Sequence, residues 1–139
     1  MGGRVESRGT QVNHDGMIEH SLDAAHSILH VRPRSALQRD DFAQLARTID
    51  PYIEENGHLA GIIVETPSFP GWDGLGAMAA HFKFVRDHQK HIGKVAVVTD
   101  AVLGNLAETV APFFVSPTVR RFAAGEVEAA RRWIMDQTA

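Results

Sequence analysis

The stretch of residues 59–80 constrains the fold of this chain more than any other. Leu59–Glu65 is almost continuously apolar, which is typical of a strand covered on both faces. Residues 66–73 form a loop rich in proline and glycine, and residues 74–80 begin a helix. A buried strand, a loop and a helix N-terminus in this order indicate an α/β sheet, in which ligands and partners are met beyond the carboxyl ends of the strands.

Hydrophobic periodicity predicts the remaining elements. Strands are predicted at residues 16–23, 26–33, 59–65, 94–100 and 119–122, and helices at about 42–56, 74–92, 105–111 and 126–135. The buried stripe of the second helix is predicted to contain Leu75, Met78, Ala79, Phe82 and Val85. The order β-β-α-β-α-β-α-β-α predicts one α/β domain with a mixed, mainly parallel sheet, because parallel neighbours need a crossover connection.

Length and composition bound the class of protein. The chain has 139 residues, a formal net charge of −3 and no cysteine. One domain of ordinary size fits this length. The charge gives no support to nucleic acid or an anionic membrane as a partner, and the lack of cysteine fits a reducing cytoplasm. Residues 1–13 are polar and glycine-rich, so we expect a disordered arm ahead of a domain at 14–139, and no run is long enough for a membrane span.

The loop and the helix mouth supply the candidate binding residues. Asp73 is interpreted either as the N-cap of the second helix or as a permanent negative charge at a binding surface. Trp72 either anchors a partner or folds back onto the core. Residues 74–79 match Gly-x-Gly-x-x-Ala, but a dinucleotide fingerprint begins directly after its strand, so close packing at Gly76 is the simpler interpretation. The predicted binding residues are Thr66, Ser68, Phe69, Trp72, Asp73, Gly74, Gly76, Asp100, Leu103 and Asn105.

A second stripe on the second helix is predicted to project away from the core. Alanine, phenylalanine and histidine recur along it at helical spacing, which favours a packing surface between two copies of the chain. The residues of this predicted homodimer contact are Ala77, His81, Phe84 and His88. The histidine spacing is poor for a metal site, and no metal or cofactor is predicted.

The order of these landmarks resembles the SpoIIAA-like branch of the STAS superfamily, the sulfate transporter and anti-sigma-factor antagonist domains. The resemblance covers about residues 14–136 and rests on spaced motifs. These motifs are the strand to Glu65, Gly71-Trp72-Asp73, Phe82-Lys83-Phe84, Lys94-Val-Ala-Val-Val, Ala111-Pro112-Phe113, Phe122, Ala129-Ala130 and Trp133-Ile134.

The resemblance implies a STAS/SpoIIAA-like single domain that acts as a non-catalytic, bacterial regulatory module and binds a protein partner. Such antagonists carry a phosphorylatable serine in an Asp-Ser-Ser-Gly-Leu-Gly type motif. Here Gly74-Leu75-Gly76 matches its end, but Trp72 and Asp73 stand where the hydroxyls would be. We therefore expect no phosphorylation switch and no enzymatic activity. The alternative is a small-molecule or lipid-binding domain that uses a cleft between the loops at 66–76 and 102–105.

Overall fold

A computed structural model describes residues 10–13, 18–68, 71–101 and 118–136. The strands are β1 (Thr10–Asn13), β2 (Ile18–Asp23), β3 (Ile28–Pro33), β4 (Leu59–Glu65), β5 (Ile92–Val98) and β6 (Thr118–Phe122). The helices are α1 (Arg39–Asn56), α2 (Leu75–His88) and α3 (Val127–Met135), and a 3-10 turn at Gln89–His91 joins α2 to β5. The predicted short helix at 105–111 lies outside the described residues.

The six strands follow one another across the sheet in chain order. The pairs β1–β2 and β2–β3 are antiparallel, and β3 to β6 are parallel. This confirms the predicted mixed, mainly parallel sheet, and the antiparallel strands lie at one edge of it. Strand β1 lies within the segment that the sequence assigned to a disordered arm, so the sheet begins earlier than expected.

Two apolar cores lie on opposite faces of the sheet. The first core packs α1 and α2 against alternate side chains of β2 to β5, and includes Leu22, Leu29, Phe42, Ile49, Ile62 and Val95. The second core packs α3 against the other face, and includes Ile28, Ile63, Ala96, Val98, Phe122, Ala130 and Ile134. Because right-handed crossovers that advance in one direction along a sheet stay on one side of it, α1 and α2 share a face.

An aspartate stabilises the start of helix α1, and a glycine ends it. The amide of Gln38 donates to the Asp41 carboxylate at 2.7 Å, which satisfies a backbone donor at the start of the helix. The helix continues through Pro51. Gly57 takes a φ of 88°, and its amide donates to the Ile53 carbonyl at 2.7 Å, which is typical of a glycine that ends a helix.

The buried face of α2 differs from the prediction. Leu75, placed in the core by periodicity, is 78% exposed, whereas Ala77 is 2% exposed. Ala80 and Phe84 pack against the first core. The helix is apolar on two sides, so spacing alone did not decide which side meets the sheet.

Candidate functional site at the carboxyl edge of the sheet

The loop at 66–76 is held by backbone hydrogen bonds at both ends. The amide of Thr66 donates to the Val98 carbonyl at 3.2 Å, which fixes the start of the loop to β5. The amide of Leu37 donates to the Gly71 carbonyl at 2.8 Å, and the amide of Asp73 donates to the Leu37 carbonyl at 2.7 Å. The loop is therefore fixed both to β5 and to the connection between β3 and α1.

A buried threonine that the sequence analysis missed links this loop to the next one. Thr99 is fully buried directly after β5. Its hydroxyl donates to the Pro67 carbonyl at 3.4 Å and accepts from the Ala101 amide at 3.0 Å. The sequence signal that could have revealed this link is a threonine directly after each of two neighbouring apolar strands, Thr66 after β4 and Thr99 after β5. This link brings Ser68 and Asp100, two predicted site residues, to the same edge of the sheet.

Trp72 folds back onto the core. Its indole N–H donates to Nδ1 of His81 at 3.0 Å, and its ring meets Phe82 edge-on with centroids 5.8 Å apart. It also packs against the first core and stays only partly accessible. The structure thus favours the second interpretation of Trp72, as a cover for the core beneath the loop.

His81 lies between Trp72 and α1. Its ring stacks on Phe42 with centroids 4.8 Å apart and an interplanar angle of 15°. Burial lowers the pKa of His81 to about 4, because the charged ring would lose its hydration. The neutral ring keeps Nδ1 free to accept from Trp72, and protonation at that nitrogen would break the hydrogen bond.

Asp73 does not cap α2. The N-cap residue is Gly74, with a φ of 93°, and no side chain supplies a capping hydrogen bond there. Asp73, Ser68 and Asp100 are exposed, and the Asp100 carboxylate accepts from the Ala124 amide at 2.9 Å. The interpretation of Asp73 as a helix cap is therefore wrong, because its carboxylate does not accept a capping hydrogen bond from α2.

Gly76 allows a close approach, though not the one predicted. A Cβ atom built there would clash with the guanidinium of Arg39 from α1. The close contact is therefore made by a side chain of α1 over the first turn of α2, rather than by the sheet. Among the described residues, this geometry offers no tight strand-to-helix turn of the dinucleotide-binding kind.

The stripe predicted as a homodimer contact faces inward. Ala77 is buried, His81 stacks on Phe42, and Phe84 stacks on His88 with centroids 4.2 Å apart. The side chain of His88 reaches across to Asp50 of α1 at 2.7 Å. The predicted outward orientation is wrong, because α2 packs against α1 as well as against the sheet. Dimer formation itself stays a prediction.

Several predicted features lie elsewhere or outside the described residues. Phe69, Leu103 and Asn105 are not described. An open groove of about 540 Å³ lies between α1 and α2 rather than beneath the loop at 66–76. Among the described residues, no three histidine or carboxylate side chains gather closely enough to hold a metal ion, and no helix there is long and apolar enough to cross a bilayer.

Fold and site together define a single α/β domain that presents a fixed loop and a helix N-terminus at the carboxyl edge of a mainly parallel sheet. The chain belongs to the SpoIIAA-like family, whose model matches residues 28–135. This is a STAS-type family of anti-sigma-factor antagonist-like domains, as the resemblance implied. Comparisons with curated proteins and with solved structures gave no match.

Proposed function

We propose that this chain is a non-catalytic, cytoplasmic regulatory module that binds a protein partner through the carboxyl edge of its sheet. The proposed surface consists of exposed residues from the loop, the helix mouth and the end of β5: Ser68, Asp73, Gly74, Leu75 and Asp100. Family membership supports a STAS-type regulatory role. Trp72 supports the surface from beneath.

Leu75 is the observation that carries this proposal. It is one of two large apolar side chains exposed among the described residues, the other being Met135, which is 46% exposed. It lies at the first position of α2, beside Asp73 and Gly74, where the antagonists that the chain resembles carry their phosphorylatable serine. Contact with a partner would remove this apolar side chain from water, in the way that the apolar core of an interface is buried within a polar rim.

The strand order also favours a protein partner over a small ligand. In open α/β sheets, ligand crevices form at the point where the strand order reverses. The sheet runs from β1 to β6 without a reversal, so the described strands provide no such crevice. The exposed residues at this edge therefore suit contact with a folded partner.

Capture from the native host tests the proposal. The tagged full chain is compared with Leu75→Asp and with the matched control Met135→Asp, each shown to be folded by circular dichroism. We expect a specific partner to be retained by the wild type and the control, and depleted at least about tenfold by Leu75→Asp, as for loss of an interface anchor. Equal capture by all three chains would contradict the proposed surface.

A further inference from the structure

Strand β6 lies at one end of the sheet, and among the described strands it pairs with β5 alone. The amide of Thr99 donates to the Phe122 carbonyl at 2.9 Å, so Phe122 directs its backbone groups towards β5. Alternate residues of a strand direct their backbone groups to opposite edges. The N–H and C=O groups of Val119 and Arg121 therefore point away from β5, where a further strand could pair with them.

Two consecutive arginines lie on this edge strand. Arg120 and Arg121 are both exposed, and as neighbours in a strand they lie on opposite faces of the sheet. The Arg120 guanidinium lies 4.8 Å from the ring centroid of Phe122 and 5.9 Å from that of Trp133. Stacking on aromatic rings holds the guanidinium in place and leaves the N–H groups at its rim free to bind an acid.

Neither of these arginines pairs with a carboxylate in the part of the chain that the structure describes. Two carboxylates near the end of β6 accept from backbone amides instead: Asp100 from Ala124 at 2.9 Å, and Glu126 from Ala123 at 3.0 Å. The ion pairs that lysine and arginine make among the described residues involve Arg32, Lys83, Arg86 and Arg131. The positive charge of β6 is therefore open to an approaching molecule.

We propose that β6 accepts an extended, acidic segment of a partner protein as a further strand of the sheet. The main chain of that segment bonds to the outward groups of Val119 and Arg121, in the way that peptides extend the sheets of other binding domains. Because successive side chains of a strand alternate between faces, two consecutive acidic residues place one carboxylate beside Arg120 and the other beside Arg121. Each arginine can bind its carboxylate through two N–H groups.

A second copy of this chain fits the edge less well than an acidic segment. Antiparallel pairing about a two-fold axis at the centre of β6 sets Arg120 of one copy against Arg120 of the other, and like charges directly opposite each other are destabilising. The arginines therefore exclude a like strand and admit a strand of opposite charge. None of these residues belongs to the surface proposed around Leu75, and this proposal does not rest on the proposed function.

Titration with two peptides tests the charge requirement. The probe is a capped peptide, Thr-Val-Thr-Glu-Glu-Val-Thr, and the control peptide has lysine in place of both glutamates. Nuclear magnetic resonance of the full chain should detect binding of the acidic peptide and not of the basic one. Arg120→Glu/Arg121→Glu should weaken binding of the acidic peptide at least about tenfold and should bind the basic peptide instead. Arg47→Glu/Arg132→Glu makes the same change in net charge at two exposed arginines outside β6 and should bind like the wild type.

Amide hydrogen exchange in the wild-type chain tests whether the peptide joins the sheet. In the free chain, the outward amides of Val119 and Arg121 should exchange faster than the amide of Arg120, which faces β5. At saturation the acidic peptide should slow exchange at Val119 and Arg121 at least about tenfold and leave Arg120 unchanged. Leu75→Asp should show the same protection, because it alters only the other surface.

Three results would overturn the proposal, whatever the outcome of the partner capture. The first is a wild-type chain that does not bind the acidic peptide at concentrations up to roughly 1 mM. The second is equal loss of binding in the two doubly substituted chains, each shown to be folded by circular dichroism. The third is binding that leaves both outward amides unprotected, which would indicate attraction of charge without an added strand.

Discussion

Two aspartates near helix N-termini show how residue-scale roles depend on geometry. Asp41 is buried and accepts from the Gln38 amide at 2.7 Å, whereas Asp73 is exposed and α2 has no side-chain cap. Both follow the sequence rule that favours aspartate near a helix start. The difference arises because the backbone at Gly74 takes a positive φ, which the sequence suggests only through the glycine itself.

This contrast predicts separate effects on stability and binding. Asp41→Ala should lower the free energy of unfolding by about 1–2 kcal/mol, through loss of a buried capping acceptor. Asp73→Ser should change it by less than about 0.5 kcal/mol, as at most exposed positions. Urea denaturation measures both.

If Asp73 provides a fixed negative charge to the partner, Asp73→Ser should also weaken capture of the partner, while Asp73→Glu should preserve it. A large loss of stability in Asp73→Ser would restore the capping role. Unchanged capture by a stable Asp73→Ser chain would remove the charge from the proposed interface.

The lowered pKa of His81 predicts that the stability of the folded chain depends on pH. Its pKa is lowered to about 4 by burial, whereas an unfolded histidine titrates near 6.5. Between these values the unfolded chain binds more protons, so stability should fall as pH decreases from 6.5 towards 4. The loss of unfolding free energy is absent above pH 6.5 and reaches about 3 kcal/mol once the pH falls below 4.

Urea denaturation at a series of pH values tests this dependence. His81→Asn, which keeps an acceptor near the position of Nδ1, should flatten the profile in that window, although it lowers overall stability. His20, whose pKa burial also lowers, should account for a remaining slope. Replacement of the exposed His26 serves as the control, and an equally steep profile in His81→Asn would contradict the assignment.

At the scale of elements, α3 depends on a glycine in the strand beneath it. A Cβ atom built on Gly61 would lie 2.5 to 2.8 Å from three carbons of Ile134, closer than side chains pack. Ile134 is 5% exposed, so it cannot move into solvent without loss of buried contacts. The glycine therefore sets how closely α3 approaches β4.

Gly61→Ala should lower the free energy of unfolding by about 1–3 kcal/mol through overpacking. Ile134→Ala should also destabilise the chain, by about 2–5 kcal/mol. Their combination should cost less than the sum, because the smaller residue 134 makes room for the new methyl group. Thermal and urea unfolding of the double-mutant cycle measures this coupling, and strict additivity would show that the two residues do not contact each other.

The sequence predicted the elements of the described chain well, and the faces of one helix badly. Buried strands such as Leu59–Glu65 have a clear signal because both of their faces are apolar. In α2, Leu75 and Phe84 belong to different stripes with the same spacing, and the choice between them depends on the contact with α1, which periodicity does not report. The burial of Trp72 beneath its own loop depends on Leu37 and His81, residues distant in sequence or on another element.

At the scale of the whole molecule, the unbroken strand order explains where surfaces are available. Sequential parallel strands place α1 and α2 together on one face and leave the other face to α3. Helix α3 is held at its middle and at its C-terminal end. Arg131 contacts Asp23 of the opening hairpin at 2.8 Å, and Lys94 donates to the carbonyls of Trp133 and Asp136 at 2.7 Å. The hairpin, the sheet and the last helix are therefore joined as one unit, and the carboxyl edge projects from a firm base.

Trp72, whose indole donates a hydrogen bond to a neutral imidazole, is an internal fluorophore at the carboxyl edge of the sheet, where the partner is proposed to bind. The chain has two tryptophans, and Trp133→Phe would leave only the emission of the ring beneath the loop. Its intensity and wavelength would then respond to anything that displaces residues 66–76, so the arrival of a partner could be followed in solution without an attached dye.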